Sequence, residues 1–368
     1  ITEEMATVQS HTLTPPLFGE MHINELAKAY KKTLPLKTEQ EIIRISSGIP
    51  SYVRMIFQTD MLEQPITLSN IEDIQKVVRH QLSRIENHNL IANYLACLKL
   101  CYDGNIPKSD LLMLSKASDS QLEEIFDAAL AREEIIGEKS YIAMDGLVAQ
   151  CCLKTIHCNE YFRNIYDFYQ VKDSNSDIAL VAQLMLPDSL QNSRVRVVLK
   201  KKYEEGKFLL FAKLGTLEQN GRLCTLQTEE SLYNTFRYYY LSSLLQLGEY
   251  SQAISALERY EHSSLHLPTL RECYNPSGFE MQYLIIDLHH LSNQFTLALG
   301  EIEAVLSQSI PIKQEHQCRL LYLKSHCLKH LGSQLQEADR ILASLESKRL
   351  SPNFQIKVLY SRLAIHIF

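Results

Sequence analysis

Apolar residues recur three and four positions apart along most of this chain. They form one stripe over residues 71–85 and a second over residues 90–100, so both stretches are predicted to be amphipathic helices. Over residues 135–144 the pattern changes to two short runs around a turn, which predicts a β-hairpin. Glycine and proline are scarce, at 12 and 11 residues, and leucine is common. The pattern therefore predicts a mainly α-helical protein that contains one small hairpin.

The most distinctive local sequence is the turn before a helix predicted to begin at Pro50. Gly48 permits a backbone conformation that other residues resist, and Pro50 suits the first helical position, where its missing N–H has no partner to lose. Ser47 is predicted to cap this helix. Three apolar residues then fall on one helical face: Val53, Ile56 and Phe57. Such a turn is either an ordinary helix start or a place where a flat ligand lies against the glycine and the proline ring.

Changes in these patterns divide the chain into four predicted segments. Residues 1–68 contain two short helices, and residues 69–156 contain helices followed by the hairpin, which is the order of elements in a winged-helix domain. Residues 157–227 form a helical connector or degenerate repeats. Residues 228–368 contain regular helical repeats.

A winged helix invites a DNA-binding interpretation, which the charges oppose. The candidate recognition helix is predicted from Ser118 to Arg132. Residues 118–127 carry four acidic side chains and no Lys or Arg. These charges repel phosphate, so nucleic acid is not an expected partner of this segment.

The repeats at 228–368 carry the most specific pattern. Residues 247–253, Leu-Gly-Glu-Tyr-Ser-Gln-Ala, closely resemble the turn between the two helices of a tetratricopeptide repeat, with predicted helices at 232–247 and 251–262. Ala298 and Ala338 mark two further units, and residues 352–368 resemble the first half of a fourth. The chain is thus predicted to end in a tetratricopeptide-like α-superhelix.

Stacked helical hairpins make a concave surface that binds proteins or peptides. The candidate contact residues are Tyr233, Arg237 and Tyr240, placed on the exposed side of a first helix, because Tyr and Arg dominate interface hot spots. Packing in the core is the alternative for these side chains.

Composition narrows the class of protein further. The content of 45% hydrophobic and 22% charged residues is that of a globular protein, and the net charge of −6 disfavours general binding of nucleic acid. Nine cysteines, an odd number without a Cys-x-x-Cys pair, indicate buried thiols in a reducing compartment. No signal peptide or membrane-length apolar run is visible, so a cytoplasmic location without membrane contact is expected.

The usual signatures of catalysis are missing from the sequence. It has no Gly-x-x-x-x-Gly-Lys-[Ser/Thr] motif, and therefore no phosphate-binding loop of its own. No spacing typical of a metal site or a catalytic triad is legible, and the chain is not expected to be catalytic.

The order of a Gly-x-Pro turn, an apolar helix, a winged-helix pattern and helical repeats resembles the C-terminal part of STAND-class NTPases. These are AAA+-related proteins of the NACHT, NB-ARC and MalT types. In that family the proline of the turn lies against the adenine of the bound nucleotide, so the resemblance makes Gly48 and Pro50 the candidate nucleotide contacts. The family's Met-His-Asp motif falls on Ala143-Met144-Asp145: Asp145 is kept, and Met144 replaces the phosphate-sensing histidine. Asp145 is also a candidate N-cap of the following helix.

The resemblance implies the role of a regulatory and sensor region. Residues 1–68 would be a helical lid, and the nucleotide-binding core would lie upstream of Ile1, since the chain does not begin with Met. The resemblance implies ATP or ADP with Mg²⁺ for the parent protein and leaves open whether that protein hydrolyses ATP; no cofactor is expected for this fragment. Partners would be a protein or peptide ligand, the upstream core and further copies on activation. The outputs implied are signalling in bacterial antiphage defence or transcription control of the MalT type; the alternative is a non-enzymatic helical-repeat adaptor.

Overall fold

The computed structural model confirms a mainly α-helical protein. It describes residues 17–58, 74–85, 89–102, 104–154, 156–187, 192–224, 226, 230–262, 279–307, 312–332, 334–348 and 350–367. The chain divides into two compact units, Ile1–Gln183 and Leu184–Phe368. The finer division into four segments stays a prediction. In the described part of the chain, no helix is both long and apolar enough to cross a membrane.

The first unit begins with three short helices: α1 (Glu20–Ala29), α2 (Leu36–Ser46) and α3 (Pro50–Phe57). As predicted, Pro50 is the first residue of α3. The predicted apolar face of α3 is buried, as Val53, Ile56 and Phe57 all lie in the core. Burial of this face fixes α3 against the rest of the unit, because apolar area removed from water is the main stabilising term.

The middle of the first unit contains helices and a small sheet. Its elements are α4 (Ile74–Arg84), α5 (Asn89–Cys101), β1 (Ile106–Pro107), α6 (Lys108–Ser115), α7 (Asp119–Asp127), β2 (Arg132–Ile136), β3 (Lys139–Ala143) and α8 (Gly146–Leu153). The sheet has the order β1-β3-β2 with antiparallel neighbours, so the predicted hairpin is confirmed and gains a third strand. Residues 71–73, where the first long stripe was predicted to begin, lie outside the described residues.

α7 is shorter than predicted. Ser118 and Gln121 form a capping box at its start, as the sequence suggests. The helix ends at Asp127 and Ala129 takes a left-handed backbone (φ 55°), so the predicted extension to Arg132 is wrong. Arg132 instead opens β2, because Ile125 and Leu130 bury their side chains on either side of the reversal.

Two further helices, α9 (Asn159–Lys172) and α10 (Asp177–Met185), lead in the sequence to the second unit. α9 is tied to the start of α6 through the buried Asp110. The Tyr169 hydroxyl donates to Asp110 Oδ2 at 3.0 Å, and Lys172 Nζ lies 2.6 Å from Oδ1. Tyr169 and Lys172 of α9 therefore pack against α6, and Tyr169 is buried in the core.

The second unit is built of helices that pair in sequence order. They are α11 (Asn192–Glu204), α12 (Phe208–Gln219), α13 (Glu230–Leu247), α14 (Tyr250–His262), α15 (Phe279–Leu291), α16 (Phe295–Ser307), α17 (Gln314–Leu331), α18 (Leu335–Glu346) and α19 (Pro352–Ile367). The two repeat helices predicted at 232–247 and 251–262 are confirmed as α13 and α14. The last predicted helix is α19, and Phe368 lies outside the described residues.

Three helical hairpins repeat the same packing. Ala253, Ala298 and Ala338, one in each second helix, are fully buried, which lets that helix sit close to its neighbours. Left-handed residues turn the chain between the paired helices: Gly248, Asn293 and Gly332. α16 shares one apolar cluster with α15 and α17, and α18 shares the next with α17 and α19. The predicted helical repeat is thus confirmed as a stack of hairpins.

None of the described cysteines is in a disulfide bond. Cys273 lies outside the described residues.

Candidate functional site

The turn before α3 needs a glycine at position 48. Gly48 has φ +70°, and its carbonyl oxygen accepts a 2.7 Å hydrogen bond from the Phe18 N–H. A Cβ at this position would lie 2.8 Å from the Phe18 carbonyl oxygen. The backbone conformation therefore disfavours a side chain at this position, and the close approach of residue 18 leaves no room for one.

Ser47 does not cap α3, so that prediction is wrong. It is the left-handed residue that ends α2, with φ 51°. Ser46 supports the turn instead: its hydroxyl donates to the Ile42 carbonyl at 2.7 Å and accepts from the Gly48 N–H at 3.1 Å. Because two adjacent left-handed residues are used, the chain reverses within one turn and delivers Pro50 directly to α3.

Pro50 lies in the wall of a cleft of about 350 Å³. Apolar and aromatic side chains form most of that wall: Phe18, Leu26, Met55, Phe126 and Val148. The volume is at the lower end of the range for small-molecule sites, which suits one flat ring system. Residues from α1, α3, α7 and α8 contribute, so the cleft exists only in the folded first unit.

Asp145 lines the same cleft as Pro50. It is the N-cap of α8, where its Oδ1 accepts a hydrogen bond from the Leu147 N–H at 2.8 Å. This confirms the prediction of Asp145 as a helix cap. The same Oδ1 accepts the Tyr52 hydroxyl at 2.7 Å. Burial, followed by this hydrogen bond to Asp145, raises the pKa of Tyr52 well above its usual range, so Tyr52 stays a donor. Asp145 therefore joins α3 to α8 at the edge of the cleft.

Met144, at the position of the family's histidine, is buried. Its thioether supplies no N–H to a phosphate.

Two arginines, Arg54 and Arg132, line the cleft and differ in whether a carboxylate neutralises them. The Arg132 guanidinium lies 2.7 Å from Glu134. Arg54 is exposed, and among the described residues its side chain has no hydrogen bond or ion pair. Apolar walls with a cation at the mouth suit a flat heterocycle that carries an anionic group.

The sequence did not predict Tyr52, Arg54 and Phe18 as residues of the site. Only Tyr52, a polar residue within an apolar helical run, gave a local signal.

The residues predicted to contact a partner on the repeats are placed differently from expected. Arg237 and Tyr240 are each only 2% exposed and Tyr233 is partly buried, so the prediction of an exposed face is wrong for the first two. The Arg237 guanidinium lies 3.9 Å from the centre of the Tyr233 ring and 4.4 Å from that of Tyr260. The Tyr233 hydroxyl donates to Glu218. These groups form a buried cation–π cluster that holds α12, α13 and α14 together.

The physical reason lies in the segment before the repeats. α11 and α12 pack on α13 and cover the face that a terminal repeat would expose. The sequence pattern of α13 alone does not reveal this cover.

Within the described ranges, no three His, Cys, Asp or Glu side chains are grouped so that they could hold a metal ion.

A larger groove of about 880 Å³ lies in the second unit, between α15, α17 and the last helix, α19. Its lining differs from the residues predicted for partner binding.

Comparison with known proteins gives one distant likeness. No family profile and no curated protein matches the chain. A solved structure, a STAND protein with a tetratricopeptide repeat sensor from Pyrococcus horikoshii, aligns with 95% of this chain at 13% sequence identity and a TM-score of 0.32. The alignment covers 57% of that protein, so this chain spans just over half of its length. An identity and a TM-score this low show no family membership.

Proposed function

We propose that this chain is the regulatory and sensor region of a STAND-type NTPase. The observation that carries the proposal is the cleft of the first unit, which brings together Pro50 and Asp145. These two residues are far apart in the sequence: the resemblance aligns Pro50 with the family's adenine-contacting proline and Asp145 with the aspartate of its Met-His-Asp motif. On this proposal residues 1–68 are the lid, and the segment with the three-stranded sheet is a winged-helix domain that controls a nucleotide-binding core.

The cleft supplies a place for the adenine of ATP or ADP. Phe18, Pro50 and Met55 offer flat or apolar contact, and Arg54 at the mouth attracts negative charge. The phosphates and Mg²⁺ would be held by the core that is expected upstream. The chain's own part is to bind the base and to couple α3 to α8 through the hydrogen bond between Tyr52 and Asp145.

The helical hairpins of the second unit are proposed to bind a protein or peptide ligand, whose arrival releases the core to exchange nucleotide and to form oligomers. The output would be cytoplasmic signalling in bacterial defence or transcription control.

A second candidate function, a nucleotide-free adaptor, is favoured by one observation: Met144 stands where the family has its phosphate-sensing histidine.

The test uses the full protein encoded by the gene, with the segment upstream of Ile1. A Pro50→Ala variant should weaken binding of a fluorescent ADP analogue about tenfold, because the lost ring methylenes are each worth about 0.8 kcal/mol when buried. The matched control is Pro35→Ala, since Pro35 precedes α2 and does not line the cleft. An upstream sequence without a phosphate-binding loop, or equal ADP affinity in both variants, would reject the nucleotide proposal and leave the adaptor.

A further inference from the structure

The groove of the second unit has a regular composition. Each of its three helices, α15, α17 and α19, contributes a Tyr or Phe ring and at least one charged side chain; in chain order the pairs are Tyr283 with Asp287, Tyr322 with Arg319, and Phe354 with Lys357. The rings are in contact with the repeat cores on one side, as Tyr322 and Phe354 lie 5.2 Å apart between ring centres. Their other side borders the open groove. Aromatic walls with fixed charges are typical of surfaces that bind peptide side chains.

The charges of the groove are not all satisfied by the protein. Arg319 is neutralised by Glu315, at 2.7 Å. Lys357 is exposed and has no ion pair with any described residue. Asp287 is partly buried, and among the described residues no group donates a hydrogen bond to it or forms an ion pair with it. Burial raises the pKa of Asp287, and the charge of Lys357 opposes this only in part. A carboxylate held in this way destabilises the ligand-free protein.

The neighbouring histidines do not supply the missing positive charge. Burial, with His330 nearby, lowers the pKa of His290, and both of its ring nitrogens are buried without a hydrogen-bond partner. Burial, with the nearby His290, Lys329 and His330, lowers the pKa of His326 to about 4. His326 Nε2 lies 2.7 Å from the Ser361 hydroxyl. Both rings are therefore neutral at pH 7, and the partly buried Asp287 has no ion pair among the described residues of this part of the groove.

We propose that this groove binds a peptide segment of a partner protein by receiving an Arg or Lys side chain on Asp287, beside the rings of Tyr283 and Tyr322. The inference rests on the proposed function in one respect, that the hairpins bind a protein ligand, and it names the chemistry of that ligand. A cationic side chain is the complement of a desolvated carboxylate, and the aromatic faces add cation–π attraction. A groove that extends over two hairpins and the following helix α19, and remains open, is longer than a single small molecule requires.

The first experiment selects ligands without assuming their sequence. Random heptapeptides displayed on phage are selected on the whole 368-residue chain, and in parallel on Asp287→Asn and Glu204→Gln. The control removes the same charge from an exposed position of α11 outside the groove. We expect Arg or Lys to be enriched at one peptide position on the unaltered chain and on Glu204→Gln, and to lose that enrichment on Asp287→Asn.

The second experiment measures the contact itself by fluorescence anisotropy. The best selected peptide should lose affinity about tenfold or more when its basic residue is replaced by citrulline, which keeps the size and removes the charge, and by a similar factor on Asp287→Asn. Lys357→Met should act in the opposite direction and strengthen binding, since it removes a like charge from the groove. The thermal midpoint of ligand-free Asp287→Asn should equal or exceed that of the unaltered chain, because the substitution removes a desolvated charge.

Every other result overturns the inference. Enrichment of acidic or purely apolar peptides, no enrichment, or basic peptides that bind Asp287→Asn equally well would exclude Asp287 as the receptor of a cation. A lowered thermal midpoint of ligand-free Asp287→Asn would show that the carboxylate has a structural partner. These failures leave the nucleotide proposal untouched, since that proposal is tested by Pro50→Ala in the other unit.

Discussion

At the scale of single residues, Gly48 decides the position of the candidate nucleotide contact. Its left-handed backbone could be expected from the Gly-x-Pro sequence. The approach of Phe18 could not, because that contact is made by a residue thirty positions earlier in the chain. Only the second fact makes any side chain at position 48 incompatible with the turn.

A Gly48→Ala variant should therefore destabilise the first unit by more than the cost of placing alanine in a left-handed backbone conformation. A left-handed alanine costs about 1–2 kcal/mol, and overpacking against a backbone oxygen adds about 1–3 kcal/mol. Gly137→Ala is the matched control: Gly137 has φ +64°, and a Cβ there meets nothing within 4 Å. Urea denaturation followed by circular dichroism measures the free energy of unfolding of both variants. Equal losses of stability would mean that residue 18 moves to make room for the new methyl group.

A second prediction at this scale concerns pH. His326 has a folded-state pKa of about 4 against an ordinary 6.5, so the unfolded chain binds its proton first. The contribution of neutral His326 to the free energy of unfolding is complete above pH 6.5 and is lost as the pH falls from 6.5 towards 4. Between pH 7 and pH 5 this amounts to about 2 kcal/mol. A His326→Gln variant should show a flatter dependence of unfolding free energy on pH over this interval.

The control for that experiment is His366→Gln, which removes an exposed histidine of α19. It should not flatten the dependence. If both substitutions have the same effect, the loss of stability at low pH comes from general charging and not from the buried ring.

At the scale of elements, helix existence followed from local pattern, whereas the buried face followed from it for α3 but not for every helix. α13 shows this best. Its aromatic and charged residues are compatible with either face, and the packing of α12 buries Arg237 and Tyr240. The contact is close because Gly215 in α12 has no side chain: a Cβ there would lie 2.1 Å from the Tyr240 ring.

Two helical glycines should therefore respond in opposite ways to alanine. Gly300→Ala in α16 should stabilise the protein by about 0.5–1 kcal/mol, because a Cβ there meets nothing within 4 Å and alanine favours helix. Gly215→Ala should destabilise it by about 1–3 kcal/mol through overpacking against Tyr240. Thermal unfolding followed by circular dichroism gives both signs. A stabilising Gly215→Ala would mean that α12 and α13 do not pack as described.

At the scale of the whole molecule, charge sets which partners are possible. The net charge is −6, and the exposed start of α7 is acidic. This distribution favours partners with basic groups, in agreement with the cation proposed for Asp287.

The chain should accordingly not bind duplex DNA in an electrophoretic shift assay at about 50 mM salt, where phosphate contacts are strongest. Binding that weakens steeply as salt is added would contradict this and would revive a DNA-binding role for the segment with the three-stranded sheet.

The sequence by itself determined most of the helices, the hairpin of β2 and β3, the repeats and the local conformations at Gly48 and Pro50. It could do so because these features depend on spacing, on backbone freedom and on capping within a few residues. It also identified Asp145 as a helix cap, which is a contact of the same short range.

Only the tertiary structure decided which residues share a surface. The meeting of Pro50 and Asp145 in one cleft, the burial of Arg237 under α12, and the placement of Asp287 in a groove between helices all depend on contacts between separate elements. The chemistry of each of these sites comes from removal of side chains from water and from neighbouring residues on other helices. The spacing of residues along a single helix reveals neither the burial nor the neighbours.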